Sequence, residues 1–255
     1  MATMSIGKAW EETIAFVSRE AALLFPVALL FVGLPGLILQ EMTPPELAAW
    51  SLAPKAETMP HVPPSYAVGM LLTIILMWFG SLALFALASR PGISVGEALR
   101  LSLARLPVLL GASLVVGGVV LLAILLLAVP LMFVLGPAAP LVVIILIAGI
   151  VGTRLILLNL VVIDGTDGVK GSIRHAWMLT KGHGWRLFGL IVILTLLSAI
   201  AASAAQAVFG VVAGLIGGAA AAKFVGGLAA AAASTVIQVY ILVMLARLYR
   251  QAEAG

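Results

Sequence analysis

The chain has 255 residues, 63% of them hydrophobic and 9% charged, with a formal charge of +4 and a mean hydropathy of +1.24. Soluble domains run at about half apolar and about a quarter charged, so this composition excludes a soluble enzyme, a disordered tail and a disulfide-stapled secreted module. Cysteine is absent, which removes thiolate ligands, a cysteine nucleophile and any disulfide.

A helix needs roughly 20 predominantly apolar residues to cross a bilayer. Six stretches qualify: 21–39, 66–88, 108–129, 140–162, 187–209 and 225–246. The expected fold is all-α, a polytopic membrane protein with six transmembrane helices in a single integral domain, 1–255. A lipid-exposed barrel would show short alternating segments instead. No cleavable signal peptide is expected, since the first apolar run begins near Ala21, after Glu11, Glu12 and Glu20.

In chain order, the segment before the first span places Ile6, Trp10, Ile14 and Val17 at helical spacing, with Lys8 and Glu12 at i,i+4. The first span contains Pro26 and Pro35, tolerable where neighbouring groups re-satisfy the freed backbone. Residues 40–65 read as a proline-rich loop carrying Glu41, Glu46 and Glu57. Ser94 and Glu97 form a capping box, followed by Val95, Leu99, Leu103 and Leu106 on one face. The short turn from Gly136-Pro137 to Pro140 makes spans three and four a tight hairpin. Asp164-Gly165-Thr166-Asp167-Gly168 is a turn, with Asp167 expected to cap the next helix. In that helix Val169, Ile173 and Trp177 face one way, and Lys170, Arg174 and Lys181 another. Residues 206–226 read as a distended fifth span, a re-entrant piece or an extra short span. Their Gly210, Gly214, Gly218 and Ala222 spacing favours close helix approach within the chain over a dimer face.

Of fourteen basic residues, eleven fall on one side of the predicted spans: Lys8, Arg19, Arg90, Arg100, Arg105, Lys170, Arg174, Lys181, Arg186, Arg247 and Arg250. Only Lys55 and Lys223 fall on the other. Basic residues mark the cytoplasmic face, so both termini are expected in the cytoplasm of a bacterial inner membrane. A seventh span within 206–226 is rejected because it would strand Arg247 and Arg250 outside. Beside the spans these charges point to anionic lipid headgroups rather than nucleic acid.

The amphipathic segments also repeat. Ser5-Ile6-Gly7-Lys8-Ala9-Trp10 resembles Ser94-Val95-Gly96-Glu97-Ala98-Leu99. Val95-x-x-Ala98-Leu99-Arg100 in turn resembles Val169-x-x-Ser172-Ile173-Arg174. Each copy precedes an odd-numbered span, giving three units of a cytoplasmic interfacial helix plus a transmembrane hairpin, near 1–90, 91–164 and 165–255.

Arg154 is the single charge well inside a span. Such a residue normally faces protein or a water cavity. Asn159, Gln238, backbone carbonyls or a lipid phosphate are its expected partners, with Asp164 a partner only if another helix intervenes. The histidines (His61, His175 and His183) lack metal-ligand spacing, so no metal and no cofactor is expected. No Ser/His/Asp set, paired carboxylates or phosphate-cradling loop appears, so no enzymatic activity is expected of this chain. The spans otherwise offer scattered groups such as Thr73, Ser203, Gln206, Thr235 and Gln238, and no intramembrane acid for proton coupling.

Arg154, then Val161-Val162-Ile163-Asp164, then Gly168-x-x-x-Ser172-Ile173-Arg174-His175-Ala176-Trp177-Met178-Leu179-Thr180-Lys181-Gly182 and Trp185-Arg186, resemble a known family pattern. It is similar to the membrane domain attached to some bacterial glycerophosphoryl diester phosphodiesterases and to stand-alone six-span relatives. The family tends to place Ser where Ala176 stands and Glu where Asp164 stands. The resemblance implies a membrane module with lipid-related work by association. It transfers no catalytic residue, because nothing here resembles the soluble catalytic barrel. The expected function is a non-enzymatic lipid-interacting or scaffolding module. Arg100, Arg154, Arg174, Lys181, Arg186 and Trp177 would engage headgroups, above all anionic phospholipid, or a protein partner or second copy. The alternative is a transporter or channel for a small or lipidic solute, which needs a polar cavity between the repeats.

Overall fold

The computed structural model describes residues 5–52, 60–90, 92–136, 139–165, 168–180 and 184–253. Among these, every regular element is helical: α1 (Ile6–Ala28), a π-helix (Leu29–Gly33), α2 (Leu34–Met42), α3 (Pro45–Leu52), α4 (Pro64–Ser89), α5 (Val95–Leu135), α6 (Ala139–Leu155), α7 (Leu158–Asp164), α8 (Val169–Leu179) and α9 (Gly184–Glu253). Five helical stretches are long and apolar enough to cross a membrane: Ile6–Met42, Pro64–Ser89, Val95–Ala128, Val142–Asp164 and Leu187–Glu253.

The last stretch has 67 residues. A straight helix of that length would reach about 100 Å, against a hydrocarbon core of roughly 30 Å. It is not straight. Gly218 adopts φ +72° and ψ −168°, a conformation closed to side-chain-bearing residues, and the chain reverses there. A Cβ added at Gly210 would sit 3.2 Å from the Ala222 carbonyl oxygen, and one at Gly226 would sit 3.0 Å from that of Gln206. The Gly/Ala tract of 206–226 is therefore the tip of a helical hairpin, and its small residues serve close packing within the chain.

The stretch Ile6–Met42 lies antiparallel to the second limb of α9. The Ser5 N–H donates to Gln251 Oε1 at 2.9 Å at one end, and Lys223 Nζ pairs with Glu41 Oε2 at 2.7 Å at the other. Between them a Cβ at Gly33 would meet Thr235 Oγ1 at 2.5 Å, and one at Gly227 would meet Leu37 Cδ1 at 3.4 Å. Both described ends of the chain thus share one end of the bundle. Helix α4 packs antiparallel on the other side, where a Cβ at Gly80 would lie 2.5 Å from Phe31 Cβ and Thr43 Oγ1 meets Tyr66 Oη at 3.3 Å. The buried core centres on Leu82, Phe85, Leu160, Ile163, Val239 and Tyr249.

Three expectations change. The first two amphipathic segments are not separate helices: α1 and α5 run on into the apolar stretches, with a non-helical backbone only at Glu20 (φ −104°, ψ 15°) in α1. Only α8 is a distinct short helix. The 40–65 loop contains α3, because Pro45 at its first position needs no amide partner and Glu46 complements the helix N-terminus. The residue capping α8 is Gly168, without a side-chain bond, and Asp167 lies outside the described residues. The capping box does form: Ser94 N–H donates to Glu97 Oε2 at 3.0 Å, and Glu97 N–H to Ser94 Oγ at 3.2 Å.

The buried faces of the amphipathic segments also differ from their apolar stripes. Ile6, Trp10 and Ile14 are exposed, whereas Ala9, Thr13 and Val17 are buried. In α5 Leu103 is exposed while Ala98 and Ser102 are buried, and in α8 Trp177 is exposed while Ser172, Ala176 and Thr180 are buried. Small residues face protein, where helices approach closely, and large apolar residues face outward.

Candidate functional site

At the end of the bundle that holds Ser5 and Gln251, a cavity of 330 Å³ opens between α1, α4 and the end of α9. Four arginines line it: Arg19, Arg90, Arg247 and Arg250, with Glu20 the one acid among its lining residues. Four positive charges against one negative leave a net of three. The backbone of α1 is kinked at Glu20, itself a lining residue of the cavity. The turn after α4, with Gly92 at φ +79°, brings Arg90 to the rim. Arg247 and Arg250 are i,i+3 neighbours, so one face of α9 presents both.

The arginines are held differently. Arg19 Nε bonds Glu20 Oε1 at 3.0 Å on an open surface. Arg90 Nη2 donates to the Ile163 carbonyl at 3.3 Å. Phe16 serves two cations at once: the Arg247 Cζ lies 4.7 Å from its ring centroid and that of Arg19 5.8 Å. Arg247 Nε is buried with no hydrogen-bond partner. An orphaned buried donor costs about 1–3 kcal/mol, more when charged. A tetrahedral oxyanion offers several acceptors and net negative charge, which arginine forks bind bidentately.

The predicted collar is divided. Arg154 pairs with neither Asn159 nor Gln238. Asn159 Nδ2 donates to Ser81 Oγ at 3.3 Å, and Gln238 lines a separate cleft. Instead the Arg154 guanidinium carbon lies 5.5 Å from the Trp177 ring centroid, and its Nη1 is buried without a hydrogen-bond partner. Thr180 Oγ1 donates to the Arg154 carbonyl at 2.9 Å, tying the end of α8 to α6 where the latter breaks before α7. Asp164 is exposed at the end of α7. Arg174 joins Lys170 and Trp177 around an open, mainly apolar groove of 610 Å³ with Val115 and Ile173. Arg100 is exposed on α5 and lines neither cavity. Lys181 and the side chain of Arg186 lie outside the described residues.

Sequence reasoning placed Arg19, Arg90, Arg247 and Arg250 in the basic belt without singling them out. The usable signal was Arg247 and Arg250 sharing a helix face at the end of the last span. Comparison with family models, curated proteins and solved structures finds no match to this chain.

Proposed function

We propose that this chain is a non-enzymatic, multi-pass protein of a bacterial inner membrane that holds anionic phospholipid at its basic end. The arginine cavity carries the assignment: Arg19, Arg90, Arg247 and Arg250 all line its 330 Å³, and the buried Arg247 Nε has no hydrogen-bond partner. Its ligand is the phosphate of a lipid headgroup, because the cavity sits where apolar helices meet a basic rim. The exposed cations of the collar, Arg100 and Arg174, extend the positive field, with Lys181 and Arg186 following α8 in sequence. Arg154 against Trp177 forms a second, smaller contact point for the same chemistry.

The hairpin at Gly218 divides the longest apolar stretch into two limbs, which supports a reading of six crossings with both termini on the cytoplasmic side beside the basic belt. Three repeated units are supported by burial. Ala9, Ala98 and Ser172, aligned by the sequence repeat, are 0%, 0% and 1% exposed. Four residues on, Thr13, Ser102 and Ala176 are each 0% exposed. The resemblance of 154–186 to the phosphodiesterase membrane domain agrees with lipid-related work.

The test is lipid retention. Protein extracted in polymer-bounded native discs should carry phosphatidylglycerol above its bulk fraction. Arg247→Gln/Arg250→Gln should lower that enrichment about tenfold, since one charge-assisted hydrogen bond is worth about 1.5–3 kcal/mol. Arg100→Gln, outside the cavity lining, should lower it far less. Enrichment that survives the double substitution, or is lost only with Arg154→Ala, refutes the arginine cavity as the headgroup site.

A further inference from the structure

A second cleft, of 350 Å³, lies between the π-helix and α2 on one side and both limbs of α9 on the other. Its polar lining comprises Gln40, Ser203, Gln206, Ser234, Thr235 and Gln238. No charged and no aromatic side chain lines it. Gln40 and the ion pair Glu41–Lys223 stand at its outer end, and Gln238 lies deepest along α9. From Lys223 to Gln238 the helix descends about 22 Å, so the cleft reaches well into the apolar layer.

The hydrogen bonds inside this cleft are unbalanced. Ser234 Oγ and Thr235 Oγ1 both donate to the Ala231 carbonyl, at 3.0 and 2.7 Å, which leaves their lone pairs for anything in the cleft. The Gln206 and Gln238 amides have no hydrogen-bond partner among the described residues. Gln206 is exposed and Gln238 half-buried, so both amides are accessible to a guest. Space is left for a guest at Gly36, where an added Cβ would meet nothing within 4 Å, whereas Gly33 on the same wall is closed by Thr235. The π-turn at Leu29–Gly33 widens the helix beside them, a device common at functional sites.

We propose that this cleft binds a small uncharged polyol, entering from the Glu41–Lys223 end. Hydroxyl donors match the free lone pairs of Ser234 and Thr235, and the amides of Gln206 and Gln238 take both donors and acceptors. An ion or zwitterion finds no opposite charge to offset its desolvation there. A sugar ring or base finds no aromatic face to stack on. The volume falls at the lower end of the range for small-ligand pockets. This site is separate from the arginine cavity, and neither assignment depends on the other.

The natural absence of cysteine makes the test direct. Ser203→Cys, in lipid nanodiscs open on both faces, is treated with a charged thiosulfonate that does not partition into lipid. Labelling should proceed, and xylitol should slow it saturably, by about tenfold once in about tenfold excess over its dissociation constant. Potassium chloride and glycine should give no protection. Gly36→Leu, which fills the open wall, should abolish xylitol protection while the protein still elutes as folded monodisperse material. If Gly36→Leu does not fold, Gly36→Val serves; if Ser203→Cys does not, Ala202→Cys on the same wall does. Absence of labelling while Lys223→Cys reacts shows a dry cleft and overturns the proposal. So does labelling indifferent to xylitol, or protection that persists in Gly36→Leu.

Discussion

Gly33→Ala reports on the contact that holds the first and last helices together. An added Cβ would lie 2.5 Å from Thr235 Oγ1 and 3.2 Å from Leu29 Cδ1. The leucine tip can swing aside; the threonine oxygen cannot, because Thr235 is buried and its hydroxyl donates to the Ala231 carbonyl. Overpacking of this kind costs typically about 1–3 kcal/mol, whereas alanine outranks glycine in a helix interior by roughly 0.5–1 kcal/mol. The net expectation is a loss of about 0.5–2 kcal/mol. Gly36→Ala, three residues along and unobstructed, should be neutral or gain up to about 1 kcal/mol. Adding Thr235→Ala removes the obstructing oxygen and leaves nothing else rigid within 3.4 Å of the new carbon. The double-mutant cycle should then show favourable coupling of about 1–3 kcal/mol. Unfolding in mixed micelles by added denaturing detergent, followed by tryptophan fluorescence, measures all four species. Gly33→Ala as stable as Gly36→Ala, or a cycle without coupling, refutes the close approach.

Two further substitutions test local geometry. Gly218→Ala forces a side chain into φ +72°, ψ −168° and should cost about 1–3 kcal/mol, seen as a lower midpoint for thermally induced loss of monodisperse protein in size exclusion. Ser94→Ala removes the acceptor for the Glu97 N–H and should cost about 1 kcal/mol, with hydrogen exchange accelerated in the first turn of α5 and not in α8.

Long apolar runs reveal helices well, because their length answers to bilayer thickness and little else. The capping box was readable for another reason: it is local, and both partners sit within one turn. The buried faces were not readable from apolar periodicity. In water the large apolar residue marks the core, but next to lipid it gains nothing by facing inward. Ile6, Trp10 and Ile14 point outward for that reason, and the packing surface is written in Ala9, Thr13 and Ala98, which a hydropathy pattern ignores. Arg154 is half legible: its partial burial followed from its position inside a span, its partner did not. Any of several polar groups was possible, and an exposed tryptophan on α8 supplies the face instead. The arginine cavity needed tertiary information outright, since Arg19, Arg90 and Arg247 belong to three helical segments far apart in sequence.

Both clefts lie along one antiparallel pair, Ile6–Met42 against the second limb of α9, and each sits beside a departure from α-geometry in the first partner. Glu20 leaves the helical region next to the arginine cavity; Leu29–Gly33 takes π-geometry next to the polar cleft. The Gly33–Thr235 approach forms part of the wall of the polar cleft itself, where an added Cβ would lie 2.5 Å from the threonine oxygen. Two regular helices meeting so closely at one level would leave little room at the levels above and below, since their side chains interdigitate at about 8–10 Å between axes. A bend or a widened turn relaxes such interdigitation locally. Each opening thus coincides with an irregular turn of the first helix, and the two differ in character: four arginines line the one beside Glu20, and no charged side chain lines the one beside Leu29–Gly33.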